Sequence, residues 1–180
     1  MYKFYAADEK ETIVYGAAKP GYSNEQVNNW VKFMQEQGIQ RVCCLLADAQ
    51  LTRYPSNLLE IYHKTFGANK VCSVPIQDFH LASEETLIQI ILPFLNEAFR
   101  ESEKVVVHCG GGIGRTGHVL AAWLVHTRGI SNREAIAAVK KTGRDPYEAA
   151  LAAPFYVKNP WKVVTELNAL LDKCRNKHQL

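Results

Sequence analysis

Paired cysteines, long apolar runs and a strong charge of either sign are all missing from this chain of 180 residues. The five cysteines (Cys43, Cys44, Cys72, Cys109 and Cys174) make no C-x-x-C spacing, so the usual signs of a zinc site or a redox dithiol are absent. Their odd number argues against a disulfide scaffold and for a reducing compartment. No apolar run approaches the ~18 residues that span a bilayer. The N-terminal MYKFYAADEKE has no apolar core of the kind that makes a signal peptide. A soluble, cytoplasmic chain is therefore expected, with no membrane partner. Lys and Arg number 21 against 18 Asp and Glu, a net charge of +3. That balance suits a small anionic ligand and is too weak for a nucleic-acid groove. The six histidines (His63, His80, His108, His118, His126 and His178) are scattered, so neither a metal nor another cofactor is expected. Repeats, low-complexity tracts and linkers are lacking as well, so residues 1–180 are expected to form one domain, working as a monomer.

What the chain does have is alternation. Short apolar segments at Tyr2–Tyr5, Thr12–Tyr15, Arg41–Leu46, Val71–Ile76 and Val105–His108 predict strands, and the last three are almost continuously apolar, as strands covered on both faces are. Helical patterns separate them. Ser23 and Gln26 are spaced as a capping box for a helix to about Gln37, with Gly38 as its stop. Asn57–Phe66 is a weaker helix, and Ser83 opens another with one buried face. Ser131 and Glu134 make a second capping box, and Asn159–Pro160 starts the last helix. The pattern predicts an α/β domain with a central, mainly parallel sheet of four or five strands flanked by helices. Ligands of such sheets bind at the loops leaving the carboxyl ends of the strands.

Glycine is scarce too, 11 in all, and five of the 11 fall between Gly110 and Gly117. They interrupt VVVHCGGGIGRTGHVLAAWLV, where a buried strand ends at Cys109 and an apolar helix begins near Arg115. Successive N–H groups in such a turn can converge on a tetrahedral oxyanion, and the helix start adds donors and a positive dipole end. An anion nest of this kind also favours a thiolate over a thiol. Gly110, Gly111, Gly112, Ile113 and Gly114 would supply the backbone cradle. Arg115 would supply a planar fork for two phosphate oxygens, which a lysine lacks. Thr116 places a hydroxyl that could donate to the cysteine sulfur as it leaves, and His108 could orient the loop through its ring nitrogens.

Gly112, Gly114 and Gly117 also spell the dinucleotide fingerprint G-x-G-x-x-G. That reading needs an acidic residue about 20 positions on, after the next strand. Here the region is a helix whose Glu134 serves as a cap, and no Walker lysine follows the glycines either. A plain buried cysteine before a plain turn would not need the arginine and threonine at this spacing.

HCGGGIGRTG resembles the His-Cys-x5-Arg-Thr/Ser signature of the protein tyrosine phosphatase superfamily, and the chain is similar to its small atypical dual-specificity members. The resemblance takes in IVYGAAKP, VPIQDFHLAS and the helix pair after the loop. It implies metal-free hydrolysis of phosphate monoesters through a phosphocysteine, with an aspartate on a neighbouring loop as general acid. Three aspartates are candidates: Asp48, Asp78 and Asp145. Asp78 is preferred, because Pro75 stiffens the exit from its strand and VPIQDF resembles the family's acid loop. The family segment with Arg-Pro-Gly and a following glutamine is replaced by GRDPYEAALAAPFY, so the residue that positions the hydrolytic water is left open.

The neutral loop disfavours a phosphoinositide preference, since relatives with that preference tend to carry lysines there. The expected substrate is a phosphorylated protein, at phosphotyrosine and extending to phosphoserine and phosphothreonine. Tyr147 and Phe155 could wall the cleft, although aromatic residues there more often serve packing. A phosphate-binding module without turnover is the other function class, and the intact Cys109 and Arg115 argue against it.

Overall fold

The structure is a computed structural model that describes residues 2–156 and 159–175. Five strands, β1 (Tyr5–Ala6), β2 (Val14–Ala18), β3 (Ile39–Cys44), β4 (Val71–Ser73) and β5 (Lys104–Cys109), form one sheet in the order β1-β2-β5-β3-β4. Only β1 runs antiparallel to its neighbour; the other pairings are parallel, so β2 to β5 share one carboxyl edge. The α/β architecture read from the sequence is the one observed.

Side chains alternate across β5. Val105, Val107 and Cys109 face one side of the sheet, while Val106 faces the other. On the second side lie helices α1 (Asn24–Glu36) and α3 (Leu58–Phe66), where Trp30, Met34, Leu58 and Tyr62 cover Val42, Cys44 and Val106. On the first side lie α4 (Leu92–Arg100), α5 (Gly114–Arg128), α6 (Asn132–Lys141) and α8 (Pro160–Cys174). Helix α5 is buried from Gly114 to Val125, so it forms the centre of that layer and is held in place on all sides. Two short helices complete the fold: α2 (Asp48–Leu51) follows β3, and α7 (Glu148–Ala152) follows α6 and packs against α5 and α8.

Local chemistry accounts for where the elements begin. Both capping boxes form: Ser23 Oγ accepts from the Gln26 N–H at 3.2 Å, and Ser131 Oγ accepts from the Glu134 N–H at 3.2 Å. The strand limits at the N-terminus differ from expectation. Lys3 has a φ of +48°, which breaks extended backbone, and pairing is confined to Tyr5–Ala6. Glu11 Oε1 accepts from the N–H groups of Thr12, Ile13 and Val14, so the chain turns there and β2 starts only at Val14. The Ser83 helix opens as expected, with Ser83 Oγ accepting from the Thr86 N–H. It runs through a wide π-helical stretch, Thr86–Ile91, before α4. Pro93 follows that stretch; its missing N–H and its ring, which crowds the preceding turn, explain why the ordinary ladder does not continue there. Among the described residues no helix is long and apolar enough to cross a membrane.

Candidate functional site

The carboxyl ends of β2, β3, β4 and β5 bring four loops together around Cys109. The cysteine ends β5, 2% exposed, beside Ala18 of β2. Gly112 has a φ of +68°, and a Cβ there would lie 2.6 Å from the backbone of Ala17 and Ala18, so only glycine lets the loop pass over β2. A Cβ on Gly110 would lie 2.9 Å from Arg115 Nη2. The loop therefore coils closely against its own arginine and its neighbouring strand. Helix α5 begins at Gly114 with no side-chain cap at Ile113, which leaves helix-start donors facing the loop.

Arg115 is 2% exposed and ties the loops after β3 and β4 to its own. Its Nη1 donates to Gln50 Oε1 at 2.7 Å and to the Ile76 carbonyl at 2.9 Å, with the Leu45 carbonyl at 3.4 Å. Its Nη2 lies 3.0 Å from Asp78 Oδ1. Asp78 is half-exposed on the loop after β4, where Phe79, at a φ of +59°, turns the chain tightly. The other candidate carboxylates are placed elsewhere. Asp48 is exposed on α2, and Asp145 accepts from the Tyr147 N–H and pairs with Lys140 at 3.4 Å. Of the three, Asp78 is the one that reaches the loop arginine.

His108 and Thr116 are both fully buried. The His108 ring contacts Trp30 and Tyr62, which belong to the layer opposite Cys109, and its Nε2 hydrogen-bonds the Tyr62 hydroxyl at 3.2 Å. Burial pushes its pKa down to about 3, helped by the charges of Arg115 and Lys19, with the Cys109 backbone pulling the other way. The imidazole is thus neutral, and neither ring nitrogen bonds the loop as the sequence reading expected, since Nε2 meets Tyr62 and Nδ1 has no hydrogen-bond partner. Thr116 Oγ1 has no hydrogen-bond partner, the Cys109 sulfur included. A second buried histidine spans the site: His118 Nε2 accepts from the Ala82 N–H at 3.1 Å, and its Nδ1 donates to the Gly114 carbonyl at 3.3 Å. It links the start of α5 to the segment that carries Asp78.

Sequence reasoning missed two contributors. Gln50, on the unforeseen α2, holds Arg115. Glu148, the first residue of α7, accepts from the Gly114 N–H through Oε2 at 2.8 Å. Burial raises the Glu148 pKa, as do the nearby Asp78 and Asp145 carboxylates, against the opposing pull of the Gly114 N–H and Arg115. The available signal was a glutamate in GRDPYEAALA, the segment already noted as departing from the family. Of the two suggested wall residues, Tyr147 packs on the core and Phe155 is 87% exposed. The described residues hold no cluster of three or more His, Cys, Asp or Glu suited to a metal.

Comparison with known proteins agrees with this geometry. Residues 15–129 match the family model described as Tc-R-P, polymorphic toxin system, DSP-PTPase phosphatase. Dual specificity protein phosphatase Mpk3 of Drosophila melanogaster is 35% identical over 77 residues, 43% of this chain, and the match spans only 19% of that longer protein. The uncharacterized protein MJ0215 of Methanocaldococcus jannaschii is 27% identical over 128 residues, 68% of each chain. The crystal structure of Tk-PTP in the active form superposes with a TM-score of 0.65 at 28% identity, covering 88% of this chain and 93% of that one. PTPMT1 in complex with PI(5)P shares the fold, with a TM-score of 0.69 at 15% identity. The match runs from β2 through the whole of α5, taking in the cysteine loop, its arginine and the Asp78 loop, and the chain belongs to the DSP-PTPase family of cysteine-based phosphatases.

Proposed function

We propose that this chain is a single phosphatase domain that dephosphorylates phosphoproteins at phosphotyrosine, and at phosphoserine and phosphothreonine, through a phosphocysteine. The observation that carries the reading is the 3.0 Å approach of Asp78 to Arg115, the arginine six residues after Cys109, which supports Asp78 as the acid. An incoming phosphate dianion takes the guanidinium fork from Asp78 and the N–H groups of Gly110–Gly114. The Cys109 sulfur attacks phosphorus as the ester P–O bond breaks, and the leaving oxygen takes a proton from Asp78. In the second step water attacks phosphorus, Asp78 takes the water's proton, and the P–S bond breaks with its electron pair returning to sulfur. Thr116, whose hydroxyl has no partner in the resting state, is suited to donate to that departing sulfur. His108, neutral and beneath the loop, is a positioning residue. The mechanism needs a free Cys109 thiol, and Cys109 and the other four cysteines are all free, which suits a cytoplasmic setting.

The test is Cys109→Ser assayed on p-nitrophenyl phosphate and a phosphotyrosine peptide. Turnover should vanish while vanadate or phosphopeptide still binds, because the backbone cradle and Arg115 remain. Residual turnover within tenfold of wild type would remove Cys109 as nucleophile.

A further inference from the structure

Beside the catalytic loop stands a cluster of side chains that the hydrolytic steps do not use. Lys19 follows β2 directly, and its N–H donates to the carbonyls of Cys109 at 2.9 Å and Gly110 at 3.4 Å. Its Nζ lies 3.4 Å from the centre of the Tyr22 ring and 5.6 Å from that of Tyr54. The Arg53 guanidinium lies over the same Tyr22 ring at 4.2 Å. The two tyrosines are fixed in turn: their ring centres are 4.8 Å apart, and the Tyr54 hydroxyl donates to the Pro20 carbonyl at 3.0 Å. Arg53 stands three residues after Gln50, which holds Arg115, and the Gln50 amide lies 3.1 Å from where a Cβ on Gly110 would be. Lys19 is thus bonded to the loop at Cys109 and Gly110, and Arg53 follows the short helix whose Gln50 holds Arg115.

No carboxylate of the described residues balances their charges, and the acceptor that Lys19 Nζ meets, the Pro20 carbonyl at 3.1 Å, is neutral. Among the described residues neither Lys19 nor Arg53 takes part in an ion pair. Lys19 is half-buried, and burial and the Arg53 charge both lower its pKa. Cation–π contact offsets part of the cost of holding two like charges together, at about 0.5–2 kcal/mol per contact. An anion placed between them would remove the repulsion as well. Because the Lys19 backbone is bonded to Cys109 and Gly110, the substrate itself is the natural carrier of that anion.

We propose that Lys19 and Arg53, braced on Tyr22, form a second anion subsite for an acidic or second phosphorylated side chain beside the scissile phosphoresidue of a peptide substrate. The inference rests on the phosphatase reading above and names its substrate class. A peptide is favoured over a membrane lipid because the cluster carries no exposed apolar side chain to enter a bilayer. The exposed large apolar residues, among them Leu151, Phe155 and Trp161, belong to other segments.

The experiment compares two phosphotyrosine peptides, identical except that the flanking residues are glutamate or phosphoserine in one and glutamine in the other. Each is measured for kcat/KM with the wild type and for binding to Cys109→Ser, with a soluble short-chain phosphoinositide as a third ligand. The wild type should favour the doubly anionic peptide by about tenfold at low salt, the scale of one charge-assisted contact, and less as ionic strength rises. Arg53→Gln should shrink that ratio, Lys19→Gln/Arg53→Gln should abolish it, and Arg53→Glu should invert it. A wild-type ratio near one, or a ratio that survives the double variant, would overturn the subsite. A ratio that is larger for the phosphoinositide and removed by the same variants would overturn the peptide assignment. Binding preference in Cys109→Ser without wild-type turnover of any ester would support the subsite and count against the phosphatase reading alone.

Discussion

At the scale of single residues, the site is a competition between carboxylates and phosphate for the same donors. Asp78 holds one nitrogen of Arg115, and Glu148 holds the Gly114 N–H, so substrate must displace the first and contend with the second. Asp78→Asn should therefore lower kcat by ~10²–10⁴, least for esters with good leaving groups, and remove the basic limb of the pH–rate profile. If that limb persists in Asp78→Asn and disappears in Asp48→Asn or Asp145→Asn, the acid is one of those two. Glu148 makes a separate prediction. Its pKa is raised, first by burial and then by neighbouring carboxylates, so it gains a proton earlier than an ordinary glutamate as pH falls. Each protonation removes a negative charge next to the cradle, so sulfate, a dianion throughout, should bind Cys109→Ser more tightly from pH 7.5 to 5. With Glu148→Gln added, the oxygen that accepts from Gly114 remains and the charge does not. Sulfate affinity should then be higher at pH 7.5 and nearly independent of pH, as calorimetry would register; an unchanged pH slope would remove Glu148 from the site's electrostatics.

Among the elements, what could be read in advance was what is encoded locally. The capping boxes at Ser23 and Ser131 and the Asn159 cap are contacts within three residues, and all three form. The cysteine loop was legible for the same reason, since Cys109 to Thr116 is one uninterrupted stretch. Elements set by distant partners were not legible. Helix α2 is too short to show a period, and its Gln50 meets Arg115 only because β3 and β5 are neighbours in the sheet. Helix α7 is only one residue longer; Glu148 is brought to Gly114 by the return of the chain after α6. The clamp beneath that return, Arg144 donating to the Lys3 and Tyr5 carbonyls, joins residues 141 and 139 positions apart, a pairing no periodicity announces. Asp78 lies between these cases: its loop was visible after VPI, its preference over Asp48 and Asp145 rested on Pro75 and on resemblance, and the contact with Arg115 supports it.

For the whole molecule, the same buried histidines that brace the site make the fold sensitive to acid. Burial lowers the pKa of His108 to about 3 and of His118 to about 4, from ordinary values near 6.5. In the unfolded chain both take up protons below about 6.5, while in the folded chain they stay neutral until pH 4 or lower. The unfolded state therefore binds more protons across that window, and stability must fall as pH falls through it. The structural consequence is specific for His118. Protonation of Nε2 would put a hydrogen where the Ala82 N–H now donates, opposing two donors and loosening the segment that carries Asp78 from the start of α5. The Tm should drop steadily from pH 7 to pH 4. His118→Gln, which can keep an acceptor for Ala82 and cannot gain a proton, should have a lower Tm at pH 7 and a shallower decline on acidification. Parallel declines in the two proteins, followed by calorimetry across that range, would show that His118 is not a source of the acid sensitivity.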